Sequence, residues 1–194
     1  MDDSLIISRI KKGDSAQYSV LVNKYQNMIF RTCMGFLHQR EDAEDVTQEV
    51  FVKAFRAISD FKGDASFSTW IYRIAVNEAL TLLRRRQRER MIHRLGSWVG
   101  FAKENEMFGV ERMAHAESDP ESLMIKDEQT RWVNRVIDEL PERQRIAFTL
   151  SQYGDLSQGE VAQTMGLSEG AVESLLQRAK QNIKKKLSVD GKNK

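Results

Sequence analysis

The chain has 194 residues, of which 41% are hydrophobic and 30% charged, and its formal net charge is +2. That length holds one large domain or two small ones. Near-neutrality gives no whole-protein case for nucleic acid, so the placement of charge carries the information. The N-terminus, MDDSLIISRIKKGD, has no basic stretch leading into an apolar one, so it does not read as a signal peptide. No window approaches the ~18 apolar residues of a membrane span, and a soluble, cytoplasmic protein is expected. Only Pro120 and Pro141 break the backbone, which favours long helices.

Leu5, Ile6 and Ile10 set the apolar face of a first short helix, ended by Gly13. Ser15 is placed to cap a second, in which Tyr18, Leu21, Val22, Tyr25, Ile29 and Phe30 recur at helical spacing to about His38. Cys33 lies in that run. As the single cysteine it excludes an internal disulfide and a cysteine-rich zinc site, and it reads as a buried small hydrophobe. A third helix begins at Glu41, with Val46, Val50, Phe51, Ala54, Phe55 and Ile58 apolar. Its opposite face is acidic. Acids in a first turn suit the helix dipole, which accounts for Glu41 and Asp42. It accounts less well for Asp45, Gln48 and Glu49, further along one ridge, where a partner-binding face is an equal reading.

Next comes a polar loop, Lys62-Gly63-Asp64-Ala65-Ser66, and a helix from about Phe67 or Ser68, with Ser68 as its cap. Trp70, Ile71, Ile74, Ala75, Leu80 and Leu83 form its stripe. Trp70 suits a core or a stacking role equally; Phe67, at the loop edge, is the better exposed stacking group. Six arginines stand between Arg84 and Arg94, opposed only by Glu89. Such a run is commonly a solvated face, yet its density favours phosphate contact. From Leu95 to Glu117 periodicity fades and acids outnumber bases, so this stretch reads as a linker.

Ser118-Asp119-Pro120-Glu121 is a helix start, and Leu123, Trp132, Val133, Val136, Ile137 and Leu140 follow. Pro141 opens another helix, closed at Gly154. LSQGEVAQTMGLSEGAVESLLQRAK then carries a capping box at Ser157 and Glu160, and apolar Val161, Met165, Leu167, Val172 and Leu175. Gly166 stands where the turn needs a positive φ, and Ser168 caps the second helix. Glu169, Glu173, Ser174, Gln177, Arg178 and Gln181 are left outward, as on a helix that enters a major groove. A helical hairpin with no DNA role is the alternative.

EDAEDVTQEVFVKAF, SFSTWIYRIAVN, the arginine run, LPERQRIAF and YGDLSQGEVAQTMGLSEGAVESLLQRAK, in that order, resemble the extracytoplasmic-function (ECF) group of bacterial sigma factors. The resemblance implies an all-α chain of two small helical domains. A sigma2-like bundle spans 1–94, a linker 95–117, and a sigma4-like helix-turn-helix domain 118–194. It implies that Asp45, Gln48 and Glu49 bind the β′ clamp coiled coil of core RNA polymerase, with further contacts to the β subunit. Lys62, Gly63, Asp64, Ser66, Phe67 and Trp70 match the part that captures a flipped base of the minus-ten element, with Tyr72, Arg73 and Asn77 on the adjoining helix. Arg84, Arg85, Arg86, Arg88, Lys180 and Lys184 are expected at phosphates. Ser168, Glu173, Ser174, Gln177 and Arg178 match the reader of the minus-thirty-five element. An anti-sigma factor is implied as a partner beside promoter DNA.

The sequence departs from the family pattern at Glu173 and Leu175, where many members carry basic residues. A glutamate accepts from cytosine N4 or orients Arg178 and does not hold guanine, and Leu175 is expected to pack inward. The rival reading is a helix-turn-helix regulator that works without polymerase; it leaves the acidic ridge and the aromatic loop unexplained. His38, His93 and His115 lack ligand spacing and no nucleophile–base grouping occurs, so no catalytic residue, metal or cofactor is expected.

Overall fold

The computed structural model describes residues 2–98 and 120–190, and every regular element among them is helical. The first four helices are α1 (Asp3–Lys11), α2 (Tyr18–Leu37), α3 (Arg40–Ala57) and α4 (Phe67–Trp98). The last four are α5 (Pro120–Asp138), α6 (Glu142–Tyr153), α7 (Gln158–Met165) and α8 (Glu169–Asp190). None is long and apolar enough to cross a membrane. The expected domain boundary after Arg94 falls inside α4, which runs on to Trp98. Of the expected linker, residues 99–117 lie outside the described residues.

Local chemistry fixes most helix ends. Asp2 Oδ1 accepts from the Ser4 amide at 3.2 Å and opens α1; Gly13, at φ +103°, ends the turn after it. Ser15 does not cap α2. It starts a short 3-10 turn, Ser15–Gln17, whose preceding residue makes no side-chain cap bond. The cap of α4 is Ser66 rather than Ser68, its Oγ accepting from the Thr69 amide at 3.1 Å. Pro141 occupies the N-cap of α6 and Gly154 the C-cap. The Ser157–Glu160 capping box is closed in both directions, and Gly166 ends α7 at φ +65°, a left-handed conformation that costs a residue with a Cβ.

Ile6, Leu21, Ile29, Phe36, Val50 and Ile71 are buried and knit α1 to α4 together. Three residues of the expected apolar faces are not inside: Leu5 is 50% exposed and Ile7 is buried in its stead, Phe55 is 43% exposed, and Val133 on α5 is 38% exposed. In the C-terminal half Leu150, Val161 and Val172 are buried, and Met165, Leu167 and Leu175 pack half-buried around them. The two halves share one contiguous core. They meet at Gly35 on α2, where a Cβ would stand 2.6 Å from Tyr153 Cδ2 and 2.8 Å from Thr149 Cγ2 of α6. Only a residue without a side chain lets α6 lie this close to α2.

Cys33 is fully buried in α2, and burial pushes its thiol up to about 11. At pH 8 it is therefore protonated and shielded. Dithionitrobenzoate is expected to find no reactive thiol in the native protein and one equivalent in denaturant.

Candidate nucleic-acid interface

On α3, Asp45, Gln48 and Glu49 are exposed on one side of the helix. Lys53 Nζ lies 3.6 Å from Glu49 and 2.6 Å from Glu78, tying the ridge to α4. Sequence reasoning missed how the ridge ends. Val52 and Phe55, 41% and 43% exposed, continue it along α3. Their i+4 and i+7 spacing from Gln48 is legible in the sequence, but there Phe55 reads as part of the apolar stripe and Val52 as part of neither face. The Phe55 ring packs on Tyr18 at 4.9 Å.

The loop before α4 presents Lys62, Gly63, Asp64 and Ser66 to solvent, with Gly63 at φ +82°. Phe67 does not join them. It is 2% exposed, within an aromatic cluster of Tyr25 at 5.4 Å, Phe61 at 6.1 Å and Trp70 at 5.6 Å. The expected exposed stacking group is thus a core residue, because Phe61 and the α2 ring of Tyr25 close over it. Trp70 is half-buried on the edge of this cluster, 5.1 Å from Phe61, and retains partial access to solvent. Beside the loop lies a cavity of about 540 Å³, lined by loop residues, Phe67, Arg73, and Asp3, Ser4 and Ile7 of α1. No signal in the sequence linked α1 to this loop. The Asp3 carboxylate there accepts from Lys24 Nζ at 2.6 Å and from the Tyr25 hydroxyl.

The next turns of α4 face the C-terminal half. Tyr72 is fully buried, and its hydroxyl donates to the Gly154 carbonyl at 2.7 Å. In this arrangement it cannot lie against DNA, contrary to expectation. Arg73 donates from Nε to the Thr164 carbonyl at 3.1 Å and from Nη2 to the Gln163 carbonyl at 2.6 Å, at the end of α7. Asn77 is exposed and lines a second groove of about 400 Å³ between α4, α6 and α7. Arg31 pairs with Asp155, and His38 Nε2 lies 3.2 Å from Asp138 Oδ1, at two further points of the same seam.

Three arginines of the run are paired. Arg84 reaches both carboxylate oxygens of Glu142 on α6, at 2.8 and 3.0 Å. Arg85 lies 3.2 Å from Glu89, and Arg86 forms two 2.6 Å bonds to Asp42 on α3. The first two pairs are exposed and weak enough for a phosphate to replace the carboxylate. Arg86 is 33% exposed and fastens α4 to α3. Arg88 is exposed.

Just ahead of α8, Ser168 Oγ accepts from the Ala171 amide at 3.3 Å. Glu173, Gln177, Arg178, Lys180 and Lys184 are exposed and Ser174 half-buried. Leu175 packs against the core, as expected. The predicted groups therefore separate into a solvent-facing helix on α8, an open ridge on α3, and a loop-and-α4 surface partly covered by α7.

The family model for Sigma-70 region 2 matches residues 21–89, and that for Sigma-70, region 4 matches residues 130–183. The chain is 36% identical over 185 residues to the RNA polymerase sigma-H factor of Pseudomonas aeruginosa, covering 95% of this chain and 93% of that protein. It is 36% identical over 187 residues to the ECF RNA polymerase sigma-E factor of Escherichia coli, covering 96% and 95%. In fold it is similar to CnrH, solved in complex with the cytosolic domain of CnrY. The TM-score is 0.67 at 23% identity, over 96% of this chain and 97% of that one. It is also similar in fold to the sigma factor RpoE of Bartonella quintana, solved with the anti-sigma factor NepR, with a TM-score of 0.57 at 19% identity, over 89% and 98%.

Replacing Tyr72 by Phe leaves the buried Gly154 carbonyl without its donor and is expected to destabilise the seam by about 1–3 kcal/mol. Burial pushes the Tyr72 phenol from 10 up to about 12. A raised acid of this kind stabilises fully below pH 10 and loses that contribution as pH rises toward 12. Urea unfolding at pH 8 and 11 checks both points: the variant is weaker at pH 8 and loses less stability on going to pH 11.

Proposed function

This chain belongs to the ECF sigma factors of RNA polymerase, and from that premise we propose how its surfaces divide the work of promoter-specific initiation. The unit of residues 1–94 binds core polymerase and opens the minus-ten region, and the unit of residues 118–194 reads the minus-thirty-five element. The ridge of Asp45, Gln48 and Glu49, extended by Val52 and Phe55, seats the polymerase β′ clamp coiled coil. A mixed acidic and apolar strip suits a basic amphipathic partner, since the apolar pair supplies buried area and the acids set orientation. The observation that carries this reading is that the ridge lies open to solvent on one half of the chain while the other half holds a capped helix-turn-helix.

The loop from Lys62 to Ser66 and its cavity take a flipped minus-ten base, with Phe61 and Phe67 in the cavity wall and the half-buried Trp70 packed against both. A flipped base needs polar groups for its edge and a flat apolar surface for its face, and this site combines both. Arg84, Arg85 and Arg88 hold phosphates of the same region, with Lys180 and Lys184 serving the upstream duplex. Glu173, Ser174, Gln177 and Arg178 on α8 face the major groove of the upstream element. Phosphodiester chemistry stays with the polymerase.

An anti-sigma factor is the expected antagonist. Two proteins of similar fold were solved with protein partners, one of them named an anti-sigma factor, and the open α3 ridge is the surface such a partner would compete for.

Run-off transcription with the chain alone, core polymerase alone and both together tests the reading. Only the mixture should initiate from defined sites, and Gln48→Ala should weaken core binding while leaving the helical circular dichroism unchanged. Specific operator binding by the chain alone, unaltered by polymerase, would support the polymerase-independent regulator instead. Glu173→Lys is expected to change base preference at one upstream position by about 1–3 kcal/mol, measured by promoter selection with holoenzyme, with core binding intact.

A further inference from the structure

The cavity beside the base-capture loop is lined from the N-terminal half at every point but one, and the exception is Gln163 of α7. Its carboxamide oxygen lies 3.4 Å from Thr69 Oγ1, which is itself 2.9 Å from Ser66 Oγ. Thr69 is buried behind the pocket wall, and Ser66 lines the pocket itself. A primary carboxamide is planar and carries an N–H donor beside a carbonyl acceptor, the pairing that a nucleobase edge also presents. Immediately behind it, the carbonyls of Gln163 and Thr164 receive the Arg73 guanidinium. Those carbonyls belong to the last turn of α7, the electronegative end of the helix, and they stand toward Arg73 as phosphate oxygens would.

We infer that α7 is a surrogate for the minus-ten strand: the Gln163 carboxamide holds the place of the flipped base and the carbonyl end of α7 holds the place of its phosphate. Base capture and docking of the helix-turn-helix unit therefore exclude one another at a single pocket. Single-stranded DNA is then a ligand that opens the chain, because it binds the parted form and not the docked one. This deepens the assignment of the loop as a base pocket and rests on it.

The test uses the full chain and a fluorescein-labelled single-stranded oligonucleotide covering the minus-ten region of a promoter mapped with holoenzyme. A companion set is abasic at successive positions. Gln163→Ala is expected to bind the intact strand about tenfold more tightly than the unaltered chain, since more of the protein is in the competent form. At one abasic position that advantage should fall several-fold, the phosphate at Arg73 retaining the remainder. In small-angle scattering, the intact strand should expand the unaltered chain more than the strand abasic at that position does. Equal binding by the two proteins would overturn the inference, and so would an advantage undiminished at every abasic position, which would mean opening without exchange at the pocket. Trp70→Ala in holoenzyme tests the underlying reading separately. If promoter melting is unaffected, the loop is not the base pocket; if melting is lost while Gln163→Ala binds no tighter, only the surrogate role falls.

Discussion

The arrangement depends on one close approach. At Gly35 the backbone of α2 comes so near α6 that a Cβ would overlap Tyr153 and Thr149. That notch lets the two halves share a core and brings the α6–α7 connection over α4. The Tyr72 bond to Gly154 and the Arg73 bonds to α7 follow from it. The seam is thus a mixture of one tight apolar contact and several polar ones. A contact of this composition is specific in geometry yet separable, because arginine and tyrosine groups can exchange protein partners for water or nucleic acid.

The chain's exposed surfaces fall into those the seam leaves free and those it engages. The α3 ridge and the outer side of α8 lie away from it and are open. Tyr72, Arg73 and the mouth of the loop cavity are engaged by it. On the proposed roles, the surfaces for a protein partner and for duplex DNA are available in the docked chain, whereas the surface for an unpaired strand is partly covered. The proposed binding events would then have an order: contacts on the ridge need no rearrangement, and contacts to an unpaired base do.

Much of this was legible in the sequence, for reasons that differ by feature. The Ser157–Glu160 box and Gly166 are local devices whose chemistry is confined to a few residues, and they occur as read. Helical periodicity located the core of α2, with Leu21, Tyr25 and Ile29 all buried. It failed at Phe55, because an apolar residue beside a stripe looks the same whether it turns in or out. Phe67 misled for the opposite reason: its burial is made by Tyr25 and Phe61, which no local pattern joins to it. The seam itself was invisible. Bonds such as Tyr72 to Gly154 link a side chain to a distant backbone carbonyl, and a carbonyl has no sequence signature. Ser66 shows a related ambiguity, since two serines flank the start of α4 and only geometry distinguishes the cap.

The length of α4 has a mechanical consequence. Its 32 residues form a rod of roughly 48 Å at the usual rise per residue. One end carries the Lys62–Ser66 loop, the proposed base site, and the other carries the point where the chain departs toward the second unit. Arg86 bolts the rod to α3 by two bonds to Asp42 part-way along. The departure point is consequently an outrigger, fixed to the first unit and held far from its pocket. On the proposed exchange, the second unit would swing from that distant pivot rather than from the seam. A small rotation there becomes a large displacement at α7, which is what clearing the pocket requires.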